Sequence, residues 1–128
     1  MTDNHPFSAL ERHQYANLIT YRKSGAAIPT PVWFAEADGR IYVMTTADAG
    51  KTKRIRNNGT VELGPCTSAG KPLGPTFAAQ ARVLSAAEEA PARKALDRKY
   101  GLMKALFDFG MNLRGVERAW IEIVPQQD

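Results

Sequence analysis

An Asp-Gly pair at positions 38 and 39, between two runs of β-forming residues, constrains this chain more than any other feature. Ala37-Asp38-Gly39 reads as a tight turn, so the flanking runs must return on each other as antiparallel strands. The first run is interrupted by Pro29 and Pro31. The second, 40–45, alternates Ile41 and Val43 with polar or aromatic neighbours. A short helix over 48–57 follows, with Asp48 as its N-cap, Ala49 and Gly50 in its first turn and Asn57-Asn58-Gly59 as its stop. Thr45 and Thr46 thus deliver two hydroxyls to a helix N-terminus, where free N–H groups and the helix dipole favour an anion. Lys51, Lys53, Arg54 and Arg56 come directly after. Basic runs on short helices are ordinarily solvated faces, so the cations alone do not make a site.

The rest of the chain supplies more strands of the same kind. A capping box of Ser8 and Glu11 starts a short helix over 8–14, and 1–6 is polar and loose. Residues 15–21 form a strand, and Lys23-Ser24-Gly25 turns it back into a hairpin spanning 15–34, which runs straight into a second hairpin spanning 29–45. Connections this short require antiparallel pairing, as in a meander or small barrel. Further strands are expected at 60–66, 77–84 and 120–124, with breakers at Gly70-Lys71-Pro72 and Gly74-Pro75 between the first two. Ser85 and Glu88 resemble a capping box, but Pro91 cannot lie inside a helix and instead opens one running over 91–100. There Ala95, Leu96 and Tyr100 share a face, and Gly101 ends the helix. The apolar segment 102–113, with Phe107, Phe109 and two methionines, suits core, a subunit contact or the substrate side of a groove.

Size and composition narrow the class. The 128 residues suffice for one domain with one core, and 23% charged residues with 44% hydrophobic residues describe a folded chain rather than a disordered one. A net charge of +4 favours anionic ligands in general. One cysteine, Cys66, excludes an internal disulfide and suits a reducing cytosol. No apolar run approaches a membrane span, and the N-terminus has no signal pattern, so a cytoplasmic protein with no membrane partner is expected.

The chemistry that is missing is equally informative. There is no Cys-x-x-Cys, His-Glu-x-x-His, Gly-x-Ser-x-Gly or Walker loop. His5 and His13 lack ligand neighbours, so no metal site is expected, and Cys66 has no histidine close in sequence to activate it. No catalytic side chain can be named. If the protein is an enzyme, a cofactor carries the reaction, and the chain binds and orients it.

Three sets of residues carry a family resemblance: Pro29-Thr30-Pro31-Val32-Trp33, the strand end Tyr42…Thr45-Thr46, and Gly50-Lys51-x-Lys53-Arg54-Ile55-Arg56. The chain resembles the split-barrel flavoproteins related to pyridoxamine 5′-phosphate oxidase, over roughly 7–125, and most of all the branch of deazaflavin-dependent oxidoreductases. The resemblance implies a mainly β fold, an antiparallel split β-barrel of six or seven strands forming a single domain over 1–128. It implies that the ring of a flavin-type cofactor lies against Pro31, Val32, Trp33 and Phe34, with Thr30 also among the cofactor-binding residues. The phosphate would be held by Thr45, Thr46, Gly50, Lys51, Lys53 and Arg54. It further implies a homodimer with the cofactor site at the subunit interface. The pyridoxamine oxidases carry Ser-Arg-Lys leading into the helix, whereas this chain has Ala49-Gly50-Lys51. That departure argues against oxidation of pyridoxamine phosphate itself.

The implied activity is hydride transfer between coenzyme F420, a deazaflavin, and a small conjugated organic substrate, with FMN as the alternative cofactor. The surplus cations Arg54 and Arg56 lean toward F420, whose oligoglutamate tail is anionic. A different class also stays open, a non-enzymatic β-barrel that carries a cofactor or binds nucleic acid. Nucleic-acid barrels interleave aromatic platforms with cations along a strand face. Here the cations follow Thr45-Thr46 on a helix while Trp33 and Phe34 lie on another strand, which favours one compact phosphate and no nucleic acid.

Overall fold

The computed structural model describes residues 7, 10, 13–101 and 117–126. Seven strands and two helices follow in the order β1 (Tyr15–Tyr21), β2 (Ala27–Trp33), β3 (Ala35–Ala37), β4 (Arg40–Thr46), α1 (Gly50–Asn57), β5 (Thr60–Cys66), β6 (Phe77–Val83), α2 (Ala90–Tyr100) and β7 (Arg118–Pro125). All pair antiparallel in one sheet of order β2-β1-β5-β6-β7-β4-β3. β2 and β3 lie at opposite ends of that order, yet only Phe34 separates them in the chain. The sheet therefore curls until its two ends meet at Phe34. The result is the expected split barrel.

The Asp-Gly turn forms as expected, with φ of 55° at Asp38 and 76° at Gly39, a conformation open to Asp and Gly at little steric cost. Its first arm differs from the expected single hairpin over 29–45. β2 pairs with β1 along its whole length, from Tyr15↔Trp33 to Tyr21↔Ala27, and only β3 pairs with β4. The prolines explain the division. Pro29 and Pro31 have no N–H to donate to a second neighbour, which confines β2 to the sheet edge.

Two cores lie on the two faces of the sheet. Inside the curl, Leu18, Ile41, Val43, Val61, Leu63, Ile121 and Ile123 are fully buried, joined by Phe7, Leu10 and Ile55 of α1. Outside, α2 lays Ala92, Ala95, Leu96 and Tyr100 on Tyr42 and Trp120. This is why β4 and β7 bury both faces instead of showing the half-polar alternation of an exposed sheet. The α2 face appears as expected from its spacing, and Gly101 ends the helix at φ 51°. The Ser85–Glu88 capping box also forms, around a short 3-10 turn that precedes α2. Glu88 accepts from both the backbone N–H and the hydroxyl of Ser85 and pairs with Arg82, which holds its carboxyl down at about 2.

The start of α1 corrects one expectation. Ala49, not Asp48, occupies the N-cap, and no side chain caps it. The carbonyl of Thr46 accepts from Ala49 N–H at 3.2 Å and from Thr52 Oγ1 at 2.8 Å. Thr52 is fully buried, so this bond fastens α1 to the end of β4. The helix expected over 8–14 falls largely outside the described residues, as does the whole of 102–113.

Candidate functional site

β4 ends in Met44, Thr45 and Thr46, and α1 begins four residues later. Opposite, the last residues of β2 approach from the far end of the sheet without pairing to β4. The unpaired gap between them is a cleft of about 330 Å³. Tyr15 of β1 and Pro31, Val32 and Trp33 of β2 form one wall, Met44, Thr45 and Thr46 the other. Leu96 of α2 closes the apolar end, and Ala49 and Lys51 stand at the end where α1 starts.

The basic end brings two cations together. Lys51 has its pKa lowered, first by burial and then by the positive charge of Arg54. Arg54 is tied in place by its Nε, which donates to the buried Thr20 Oγ1 at 2.6 Å. Its guanidinium folds back over the helix start so closely that a Cβ on Gly50 would lie 2.8 Å from Nη1. Among the described residues no carboxylate forms an ion pair with Lys51 or Arg54. Two cations held near each other and partly out of water cost stability unless an anion joins them.

The apolar end is held rigidly. The Trp33 indole stacks on the Tyr100 ring, centroids 4.7 Å apart and planes 11° from parallel. Tyr100 Oη accepts from Phe34 N–H at 2.9 Å and lies 2.7 Å from Phe34 O and 2.8 Å from Gln14 O, donating its single proton to one of these carbonyls at a time. Burial pushes the phenol well above its ordinary range, so it stays neutral. Lys99 Nζ sits 3.5 Å over the Phe34 ring and donates to His13 O. Desolvation there lowers its pKa to about 8.

Of the residues expected at a site, the structure brings Pro31, Val32, Trp33, Thr45, Thr46 and Lys51 to this cleft. Gly50 opens the helix beside it, and Arg54 adjoins Lys51 while also lining a second hollow with Arg22 and Lys23. Thr30 pairs with Leu18 and does not line the cleft. Lys53 is exposed and does not line the cleft. Sequence reasoning missed Tyr15, Met44 and Leu96 as lining residues, whereas Ala49 was expected at the helix start beside the anion. Helical spacing marked Leu96 and Tyr100 as a buried face, but nothing in the chain said that this face would reach the cleft. Among the described residues no cluster of His, Cys, Asp or Glu could hold a metal ion, and no helix is long and apolar enough to cross a membrane.

The sequence profile described as pyridoxamine 5′-phosphate oxidase matches residues 6–125. Among curated proteins no match is found. Solved structures share the fold at low identity. A protein from Bacteroides thetaiotaomicron described as a 5-nitroimidazole antibiotic resistance protein aligns with a TM-score of 0.70 and 12% identity, covering 99% of this chain and 82% of that one. A conserved hypothetical protein from Mycobacterium tuberculosis gives 0.68 and 18%, with the same coverages of 99% and 82%. A protein described as F420 reductase gives 0.60 and 19%, covering 99% of this chain and 97% of that one.

Proposed function

Because the chain belongs to the pyridoxamine 5′-phosphate oxidase family, we propose that it is an oxidoreductase whose cleft holds a flavin-type cofactor, coenzyme F420 ahead of FMN, and reduces a small conjugated substrate. The observation that carries this reading is the pairing of opposites in one cleft. An aromatic wall at Trp33 faces Met44, and Lys51 stands at the other end with Arg54 beside it, neither in an ion pair with a carboxylate among the described residues. A flat ring joined to a phosphate matches that arrangement in shape and charge. Thr45, Thr46, Lys51 and Arg54 hold the phosphate in this reading, with N–H groups from the first turn of α1 beside Gly50. Val32 and Trp33 hold the ring, while Thr30 and Lys53 lie outside the cleft.

When bound, the cofactor supplies the hydride chemistry. The chain's own part is to bind the cofactor and orient it. The cleft is lined by few groups that could move a proton, Tyr15 and Lys51 among the described residues, and it opens to solvent. A conjugated acceptor that takes its proton from water suits such a site. The preference for F420 over FMN rests on charge. Arg54 stands between the cleft and a hollow of about 600 Å³ that also carries Arg22 and Lys23, leaving cationic room for an anionic tail. The family resemblance also suggests a homodimer that completes the site from two copies.

Titration of the purified protein with FMN and with F420, followed by cofactor fluorescence, tests the proposal. Tighter binding of F420 is expected. Tighter binding of FMN would reverse the order, and binding of neither would refute the reading. Gly50→Ala gives a finer test of the basic end. The added methyl must displace the end of the Arg54 side chain, a flexible group, while alanine suits a helix better than glycine. Cofactor affinity should fall by about threefold to tenfold with the melting temperature unchanged or raised. Unchanged affinity would remove Arg54 from the site.

A further inference from the structure

We propose that Tyr100, which does not line the cleft, is a positioning residue for the cofactor ring and acts through Trp33. The inference rests on the cofactor reading above. Phe34 is the one residue between β2 and β3, and the two ends of the sheet meet there. Both of its backbone polar groups are satisfied by a single side-chain atom, Tyr100 Oη, at 2.9 Å from the nitrogen and 2.7 Å from the oxygen. The same side chain, 6% exposed, presents its ring to the indole of Trp33, the residue just before the junction. One residue at the end of α2 therefore fixes both the backbone that closes the barrel and the plane of the aromatic wall in the cleft.

The arrangement is asymmetric in a telling way. Packing alone would need only the Tyr100 ring, and a phenylalanine would supply it. The hydroxyl does something different. It holds the backbone of Phe34, one peptide bond from Trp33, so the main chain that carries the indole is fixed, while the stack opposes rotation of the indole about its own side-chain bonds. A cofactor ring laid on Trp33 inherits this orientation, because stacking is sensitive to the tilt of both planes. Preorganisation of this kind removes the ordering cost that a freely rotating indole would add at binding.

Two variants and two readouts test the proposal. Tyr100→Phe keeps the ring and removes the clamp. In the protein without cofactor, acrylamide quenching of Trp33 emission is obtained by subtracting the signal of Trp33→Phe, which leaves Trp120. This quenching should rise in Tyr100→Phe, with the far-ultraviolet circular dichroism of the parent retained. FMN affinity should fall by about threefold to tenfold, and the absorption band of bound FMN should shift toward that of the free cofactor. Parental quenching together with parental affinity would overturn the proposal. If the parent binds neither FMN nor F420, the cofactor reading fails, and the positioning role fails with it even where quenching shows that Tyr100 orders Trp33. Should Tyr100→Phe not fold, Trp33→Leu removes the stack from the half-buried side with the clamp intact. Parental FMN affinity in that variant would equally overturn the proposal.

Discussion

Lys51→Ala is expected to weaken cofactor binding by about tenfold to a hundredfold and to leave the fold intact. A hydrogen bond to a charged group contributes about 1.5 to 3 kcal/mol, which converts to that range of affinity. The fold should not suffer, because Lys51 makes no ion pair among the described residues and is pressed toward the charge of Arg54. Removing it relieves a repulsion. Lys53→Ala provides the contrast. Although it stands two residues away in the same basic run, its side chain is exposed and outside the cleft, so its loss should change affinity by less than about threefold. The pH dependence follows from the same charge. The lowered pKa of Lys51 means that its cation is lost at a lower pH than an ordinary lysine's, whereas a bound anion would hold the proton on. Affinity should therefore decline as pH rises through the pKa of the free protein, and that decline should vanish in Lys51→Ala. Fluorescence titration of both variants across alkaline pH measures all of this. If Lys51→Ala binds as tightly as the parent, the basic helix is only a solvated face.

The largest effect on stability is expected at Ile121. It is fully buried at the centre of β7, opposite Val43 of β4 on one side and Val83 of β6 on the other. Truncation to alanine leaves a cavity that the paired strands cannot collapse into, at a cost of about 2 to 5 kcal/mol. For a domain whose total stability is about 5 to 15 kcal/mol, that is a large fraction. Leu73, an exposed large apolar residue at 53%, should change stability by no more than about 0.5 kcal/mol on the same substitution. Urea denaturation of the two variants gives the comparison. A loss below about 1 kcal/mol for Ile121→Ala would contradict the placement of the core inside the curl.

The local elements were legible in the sequence because local chemistry decides them. β1 and β5 fall at the expected residues 15–21 and 60–66, and α2 begins one residue earlier than its proline suggested. The Asp38-Gly39 turn needs only the two residues that tolerate positive φ. Thr45, Thr46 and Lys51 were visible as a group because they are neighbours along the chain, a strand end followed by a helix start. Asp48 misled for the same reason. Its side chain has the chemistry of a cap, but the buried Thr52 hydroxyl bonds the Thr46 carbonyl and fixes the helix start one residue later.

The family resemblance had already paired the 31–34 strand with the phosphate residues, but the contacts that complete the cleft depend on tertiary structure. Tyr15, Trp33, Met44 and Leu96 come from four elements, and their meeting follows from the strand order β2-β1-β5-β6-β7-β4-β3, which no local pattern encodes. Hydrophobic spacing shows that a face will be buried, because burial removes apolar area from water whatever covers it. What covers it is decided by hydrogen-bond pairing between distant strands and by the closure at Phe34. So Leu96 and Tyr100 could be read as one apolar face of α2, whereas the stack on Trp33 and the bonds to Phe34 across 66 residues of chain belong to the folded barrel alone.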